Sequence, residues 1–114
     1  MKYVVRLDEV EPVVPAGHAG TKNKILFENK ENRFTMWLGE LDPGGYAEMH
    51  RHSFPQAFYV IEGDGEVEIE NQRHPLSAGT AYFAPAGVEH RATNLGPQPL
   101  KVLVFSFNLP GSKS

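Results

Sequence analysis

Cysteine is absent from this chain of 114 residues, and its absence excludes disulfide bridges and thiolate chemistry. Long apolar runs are absent too, since none approaches the roughly eighteen residues that a membrane-spanning helix requires. Near the start of the chain, charge follows only three apolar residues, Tyr3-Val4-Val5, so we expect no signal peptide there. These features are compatible with a cytoplasmic protein, and we expect that location.

The chain has no excess of positive charge. Its 11 lysines and arginines are outnumbered by 14 aspartates and glutamates, which leaves a formal net charge of −3. The basic residues are scattered, and no stretch is both basic and amphipathic. We therefore expect neither nucleic acid nor a membrane surface as a partner.

Glycine and proline are frequent, and they separate short segments rich in β-branched and aromatic residues. The chain has 11 glycines and 9 prolines. This punctuation is typical of an all-β sandwich or barrel. At this length we expect one domain over residues 1–114, with no helix longer than one turn. The predicted strands are Tyr3–Leu7, Lys24–Glu28, Phe34–Leu41, Gln56–Glu62, Glu66–Glu70, Thr80–Ala84, Glu89–Thr93 and Leu100–Phe107.

Two patterns of alternation indicate which strand faces are buried. Residues 66–70 alternate strictly, so Val67 and Ile69 are expected to face the core and the glutamates to face water. The predicted strands 34–41 and 100–107 are apolar on both faces. That pattern favours an inner pocket on one side and a second subunit on the other, with packing between two sheets and a loop as the alternative.

Turn signals mark the ends of several strands. The segment Glu62-Gly63-Asp64-Gly65 predicts a tight hairpin, because Asp-Gly supplies the positive φ angles that such turns need. Residues 71–73 predict the next turn. We expect His18 and His74 to lie in turns as solvated residues.

Three histidines and a glutamine have the spacing of a metal site. His50 and His52 are two residues apart, so in a strand both side chains point to one face. Gln56 keeps this parity if the strand or its bent continuation stays in phase, and His90 comes from a separate strand. Such a set suits one divalent transition metal such as Mn, Fe, Ni, Cu or Zn. The alternative is that these histidines are surface or core residues without a ligand.

These four residues lie within two longer patterns. The first covers residues 44–63, with Gly44 and Gly63 at its ends. The second covers residues 79–94, with fixed positions at Gly79, Pro85, Gly87, His90 and Asn94. Together they resemble the two motifs of the cupin superfamily, with every fixed position kept except that Gln56 stands where the family usually has glutamate. The resemblance implies a small cupin: a double-stranded β-helix, or jelly-roll barrel.

The neutral amide of Gln56 affects the charge of the expected site. Three imidazoles and one amide leave a divalent ion with its full charge of about +2, whereas glutamate would reduce it to about +1. Such an ion is a stronger Lewis acid toward an anionic oxygen, and four protein ligands leave one or two positions open. We expect metal to be lost as the pH falls through the histidine range near ~6.5.

The residues just before the first histidine are candidate catalytic groups. Glu48 shares the parity of His50 and is the best candidate for a general base, with a solvated carboxylate at the rim as the alternative. Tyr46, one step further along, is expected to donate a hydrogen bond to a substrate or to close the core. The aromatic residues expected at the barrel mouth are Trp37, Tyr46, Phe54, Phe58 and Phe105.

Three functions are compatible with this pattern. The first is a metal-dependent enzyme, an isomerase, lyase or dioxygenase, that acts on a small organic acid, sugar acid or diketone. The second is a binding or sensor module that captures a small ligand or a metal without turnover, and the third is a cupin with a purely structural metal. The resemblance supports the first two about equally. It also implies kinship with enzymes that open or tautomerise unsaturated uronates, but Leu103 stands where those have an acidic residue, which counts against that activity.

The apolar residues of the N-terminal run Tyr3–Val14 predict a homodimer. Edge strands of a small sandwich are exposed templates for pairing. This run has more apolar residues than a free arm needs. We expect it to pair with or pack on a partner subunit.

Overall fold

A computed structural model describes residues 3–15, 18–29, 31 and 33–107. The architecture is nearly all-β, as predicted. The strands are β1 (Ala19–Asn29), β2 (Phe34–Tyr46), β3 (Gln56–Glu62), β4 (Asp64–Ile69), β5 (Gln72–Ser77), β6 (Ala81–Ala84), β7 (His90–Asn94) and β8 (Leu100–Phe107). One turn of 3-10 helix, Leu7–Glu9, precedes β1. Within the described ranges, no helix has the length and apolar character needed to cross a membrane.

The strands form one curled sheet in which neighbours are often distant in sequence. Their order is β5-β4-β7-β2-β8-β3-β6, with β1 paired to β2. Adjacent strands run antiparallel throughout this path. Pairing of β2 with β8 joins an early strand to the last one, and pairing of β4 with β7 joins strands that β5 and β6 separate in sequence. The all-β, curled jelly-roll sheet that was predicted from the sequence is thereby confirmed.

The core lies inside the curl of the sheet. Val60 and Leu100 have no exposed surface, and they belong to a cluster of buried aliphatic side chains drawn from several strands. The other members are Leu41, Val67, Leu76, Val102 and Val104. Val67 belongs to this cluster and Ile69 packs against it, so the predicted inward face of β4 is confirmed, whereas Glu66 and Glu68 are half-buried instead of fully solvated.

The two strands with apolar residues on both faces, β2 and β8, are neighbours in the sheet. Their register pairs Trp37 with Val104 and Leu38 with Leu103. Trp37 and Val104 line an internal cavity, so the inner pocket expected from the sequence is present. Leu103 is paired in turn with Tyr59 of β3, whose side chain is exposed on the outer face. The inner and outer faces of this part of the sheet are therefore both apolar.

The strand predicted over Tyr3–Leu7 is wrong. Leu7–Glu9 forms a 3-10 turn, and the described residues before it, 3–6, are not in a strand. Arg6 contacts Asp8 at 3.2 Å and Glu9 at 3.6 Å, and these local ion pairs fit a bend rather than an extended chain. Further along, Val13 forms an isolated bridge with Asn23 of β1. The segment thus lies against β1 through one bridge instead of adding a strand.

Strand β5 was not predicted, and its residues were expected in a turn and a loop. Leu76 is its one buried residue, and Pro75 lies within it, so neither alternation nor composition indicates a strand. Proline is tolerated because β5 ends the described sheet path and needs no second partner. His74 therefore lies in a strand rather than a turn, although it is exposed as expected. The turn before β5 is Glu70-Asn71, where both residues have positive φ.

The predicted hairpin at Glu62-Gly63-Asp64-Gly65 is also wrong. β3 pairs with β6 and β8, whereas β4 pairs with β5 and β7, so the chain crosses between two parts of the barrel here. Gly63 has a φ of +97°, and a Cβ at this position would lie 2.5 Å from the carbonyl oxygen of Pro99. The glycine signal therefore marks a crossing with close backbone contact.

Candidate metal centre

A cavity of about 460 Å³ opens inside the curled sheet. The four residues predicted as metal ligands all belong to its wall: His50, His52, Gln56 and His90. Three of the predicted aromatic residues line it as well, namely Trp37, Phe54 and Phe58. Tyr46 and Phe105 do not, and the ring of Phe105 lies beside that of Phe34, with centroids 6.3 Å apart. The expected site and the cavity therefore coincide, with two of the expected aromatic residues outside it.

The three histidines converge through one bridge between two segments. His50 and His90 exchange both backbone hydrogen bonds, at 3.2 and 2.9 Å. His52 lies outside any strand, so the expected regular strand from His50 onward is not present. Even so, one ring nitrogen from each of the three histidines lies within 4.8 Å of the others. This group of three imidazoles, which we call the histidine group, is compact enough to bind one metal ion.

Backbone carbonyls orient two rings of the histidine group. Nδ1 of His50 lies 2.5 Å from the carbonyl oxygen of Glu48, and Nδ1 of His90 lies 3.1 Å from that of Val88. A carbonyl can only accept a hydrogen bond, so each Nδ1 carries the proton and donates it. Each Nε2 is then left with its lone pair free. This is the arrangement in which histidine binds a metal through Nε2.

Gln56 adds an oxygen atom to the same wall. Its amide nitrogen donates to Oγ of Ser106 at 3.0 Å, and the other amide atom, Oε1, takes no part in this bond. Gln56 is 3% exposed and His90 is 4% exposed. Oε1 of Gln56 and Nε2 of His90 are both buried without a hydrogen-bond partner. Two buried acceptors without donors are costly, and a cation would satisfy both.

Burial lowers the pKa of two rings of the histidine group, those of His52 and His90. Loss of hydration, with smaller contributions from the neighbouring His50, His90 and His18, lowers the pKa of His52 to about 4. Loss of hydration also lowers the pKa of His90, although the bond to Val88 opposes this shift. Metal ligands must be deprotonated, so both rings remain competent ligands below the ordinary histidine range. We therefore expect metal retention to extend below the pH of ~6.5 expected from sequence alone.

The metal-free protein should lose stability as the pH falls from about 6.5 toward 4. In this window the unfolded chain protonates His52 whereas the folded protein, with its lowered pKa, does not. The unfolded state then binds more protons, so the free energy of unfolding falls with the pH. Urea unfolding at pH 7.5 and 5.0 measures the change, and His52→Gln should show a smaller fall. An equal fall in both proteins would contradict this reading.

The candidate catalytic residues occupy different places. Glu48 lines the cavity and is exposed, and its backbone carbonyl contacts His50. Tyr46 is 42% exposed and is paired in the sheet with Ala19 and Thr93. It is not part of the cavity wall, so the structure gives no support to a hydrogen bond from Tyr46 to a substrate.

Sequence reasoning missed several residues of the cavity wall. His18 was expected in a solvated turn, yet it lines the cavity, and its ring centroid lies 5.6 Å from that of His50. Tyr82 stacks on Phe58, with centroids 4.3 Å apart, and burial raises its pKa. Thr21 and Asn23 of β1 also belong to the wall. No motif marks these positions, and the long-range pairing of β1 with β2 brings Thr21 and Asn23 to the cavity.

Comparison with known proteins identifies the domain. The family model of the cupin domain matches residues 37–106. The chain is 36% identical over 64 residues to the dimethylsulfoniopropionate lyase DddW of Ruegeria pomeroyi, an alignment that covers 56% of this chain and 41% of that protein. It also spans less than half the length of two other curated relatives that it matches.

Solved structures resemble the fold over nearly its full length. A predicted oxalate decarboxylase from Thermotoga maritima superposes with a TM-score of 0.86 at 24% identity, covering 93% of this chain and 99% of that one. KdgF from Halomonas sp. gives a TM-score of 0.80 at 26% identity, covering 96% of both chains. At 24% identity, the first likeness establishes the fold alone.

Proposed function

Because this chain belongs to the cupin domain family, we propose that its function centres on a metal ion bound in the barrel. His50, His52, Gln56 and His90 hold one divalent transition metal, with Mn, Fe, Ni, Cu and Zn as the candidate ions. The cavity then binds a small organic molecule through an acidic or chelating end. The non-catalytic form of this function, a metal or ligand sensor, is the second candidate.

One observation carries the proposal. Nε2 of His90 and Oε1 of Gln56 are buried acceptors without partners, while carbonyl hydrogen bonds leave the Nε2 lone pairs of His50 and His90 free. If the cluster bound no ion, these buried acceptors would have no partner, at a cost of about 1–3 kcal/mol each. A bound cation satisfies them together, which explains why a small domain retains so polar a cluster inside its barrel.

The charge of the bound ion favours an anionic ligand, although Glu48 adds a carboxylate to the described wall. None of the described residues that line the cavity is a lysine or an arginine, and Gln56 adds no negative charge to the ion that it would help to hold. A divalent ion held by neutral ligands would thus be the main positive charge in the cavity. The name of one similar protein refers to a small carboxylate, dimethylsulfoniopropionate, which supports this ligand class.

The chain also offers a group for proton transfer. When bound, the metal supplies Lewis-acid or redox chemistry to an oxygen of the ligand. Glu48 lines the cavity and is exposed, and its carboxylate is the proposed general base. The apolar wall around Trp37 and Phe58 limits the access of water to the ligand. These features favour an isomerase, a lyase or a dioxygenase over simple storage of the ion.

Titration of the metal-loaded and metal-free proteins with small acids tests the proposal. Oxalate, malonate and acetate should bind the loaded protein and should not bind the metal-free one. Equal affinity for the two forms would contradict a metal-centred site. Metal analysis of protein purified without added ions would separate redox ions from zinc or nickel, and so separate dioxygenase chemistry from Lewis-acid chemistry.

Replacement of Gln56 by glutamate should tighten metal binding and weaken carboxylate binding. The substitution would bring a negative charge to about 2 Å from the ion, which lowers the ion's attraction for an anion. Ser106 can donate to the new carboxylate, so the local hydrogen bond is kept with its direction reversed. Calorimetric titration with a metal and then with oxalate should show changes of opposite sign in the two affinities.

Gln72→Glu serves as the charge control for this substitution. It adds the same negative charge at an exposed position of β5 outside the cavity wall. If the effect of Gln56→Glu arises at the ion, Gln72→Glu should change oxalate affinity much less. Unchanged oxalate affinity in Gln56→Glu would remove the reason for an anionic ligand and would favour the sensor function.

We also propose that the protein forms a homodimer. Strands β3 and β6 carry exposed apolar side chains, including Tyr59, Ile61 and Phe83, and the N-terminal segment exposes Tyr3 and Val4. Apolar surface of this kind is stabilised by a partner subunit. Sedimentation should therefore show about twice the chain mass of 12.7 kDa at micromolar concentration. A monomer at that concentration and above would contradict the expectation.

A further inference from the structure

We propose that His18 is a ligand-binding residue whose Nε2–H donates a hydrogen bond to an oxygen of the molecule bound at the histidine group. This inference rests on the proposed function, because it assigns a partner to the anionic end of the same ligand. His18 is partly buried and lines the cavity, and its ring centroid lies 5.6 Å from that of His50. It does not belong to the histidine group itself.

The hydrogen bond to Nδ1 determines which nitrogen of His18 carries the proton. The backbone N–H of Glu48 donates to Nδ1 of His18 at 3.1 Å. A backbone N–H can only donate, so Nδ1 uses its lone pair, and the proton of the neutral ring lies on Nε2. His18 therefore presents a donor, whereas His50 and His90 present lone pairs. The backbone of Glu48 takes part in both bonds, since its carbonyl accepts from His50 while its N–H donates to His18.

This tautomer suits a ligand oxygen and not a metal ion. A protonated Nε2 cannot coordinate a cation, and Nδ1 is already occupied by the Glu48 N–H. A carboxylate that gives one oxygen to the ion has a second oxygen that needs a donor, because an unpaired buried acceptor is costly. No lysine or arginine is found among the described lining residues, so a neutral donor must serve. His18 supplies an imidazole N–H next to the histidine group, and this N–H can serve as the donor.

His18 lies outside the two metal-binding motifs and outside the region that matches the family. The family match begins at residue 37, whereas His18 immediately precedes β1. Strand β1 pairs with β2 from Ala19 to Asn29, which holds the segment against the cavity. Selection of the ligand thus depends partly on a segment that lies outside the matched region.

Three variants test the assignment. His18→Phe keeps an aromatic ring but removes both nitrogens, and His18→Gln keeps one donor and one acceptor. His74→Phe is the matched control, since His74 is an exposed histidine of β5 outside the cavity wall. Each protein is titrated with zinc and then, in the zinc-loaded form, with oxalate and malonate. The wild-type protein labelled with ¹⁵N provides a separate readout, the protonation pattern of each imidazole.

We expect His18→Phe to lower oxalate affinity about 10- to 100-fold, the effect of losing a hydrogen bond to a charged group. Zinc affinity should stay within about twofold, because His18 is not a ligand of the ion. His18→Gln should recover most of the loss, and His74→Phe should match the wild type. The ¹⁵N spectra should show the proton on Nε2 for His18 and on Nδ1 for His50 and His90. This spectral readout needs no variant and remains decisive if His18→Phe does not fold.

Different outcomes separate the inference from the proposed function. Unchanged oxalate affinity in His18→Phe, or a proton on Nδ1 of His18, would overturn the inference and leave the metal-centred function standing. A tenfold or larger loss of zinc affinity in His18→Phe would make His18 a metal ligand and would also overturn it. Failure of the zinc-loaded wild type to bind any of the acids would overturn both.

Discussion

Replacement of His90 by alanine should abolish stoichiometric binding of a divalent transition metal. His90 is 4% exposed, its Nε2 has no hydrogen-bond partner, and its bridge with His50 brings the two segments of the site together. Loss of groups that merely orient a ligand costs about 10- to 100-fold in metal affinity, and loss of the ligand itself should exceed that. Calorimetric titration of the metal-free protein with zinc or nickel measures the difference.

Variants of the other predicted ligands provide a comparison for the metal affinity of His90→Ala. His50→Ala should have the same effect as His90→Ala, whereas Gln56→Ala should weaken binding less because an amide is the weaker ligand. His74→Ala is the matched control, because His74 is exposed on β5 and should leave the affinity unchanged. Circular dichroism confirms that each variant is folded. Full metal occupancy in the double variant His50→Ala/His52→Ala would rule out the assignment.

Substitution of Gly63 by alanine should destabilise the fold by about 3 kcal/mol or more. Gly63 has a φ of +97°, which L residues rarely adopt, and its Cβ would lie 2.5 Å from the carbonyl oxygen of Pro99. The clash involves backbone on both sides, so it cannot be relieved by a change of rotamer. The residue lies where the chain crosses from β3 to β4, so any shift there displaces both strands. Urea unfolding measures the loss.

Gly79→Ala provides a matched control for that substitution. Gly79 has nearly the same φ, +92°, but a Cβ there would meet no atom within 4 Å. Its replacement should cost only the conformational penalty, about 1–2 kcal/mol. The difference between the two variants isolates the close backbone contact at Gly63. Equal losses of stability would show that the contact with Pro99 has no energetic importance.

The elements that could be predicted from sequence are those whose own residues carry a strong pattern. β3 and β8 have the predicted bounds, because alternating or continuous apolar residues end at clear polar or glycine positions. β5 could not be predicted, because one buried leucine in six residues leaves no periodicity to detect. The crossing at Gly63 was interpreted as a hairpin, since the local signal for a positive φ is the same whether the next strand pairs with the last one or not.

In the site too, residues within a local pattern could be predicted, whereas residues placed by long-range packing could not. The spacing of His50, His52 and Gln56 was sufficient to place them together, even though His52 proved to lie outside any strand. His18 could not be placed, because its position depends on a hydrogen bond to Glu48, thirty residues away. Tyr46 shares the parity of Glu48, yet the end of β2 pairs it with β1 and β7, away from the cavity. Parity arguments fail where a strand bends or changes partners.

A crystal structure of the metal-loaded protein, with the ion located by its anomalous scattering, tests the central claim most directly. We expect one peak per chain, bound by Nε2 of His50, His52 and His90 and by Oε1 of Gln56, at about 2.0–2.2 Å for a zinc-sized ion. At least one further coordination position should face the cavity. An ion bound elsewhere, or one that leaves Gln56 and His90 without contact, would contradict the account.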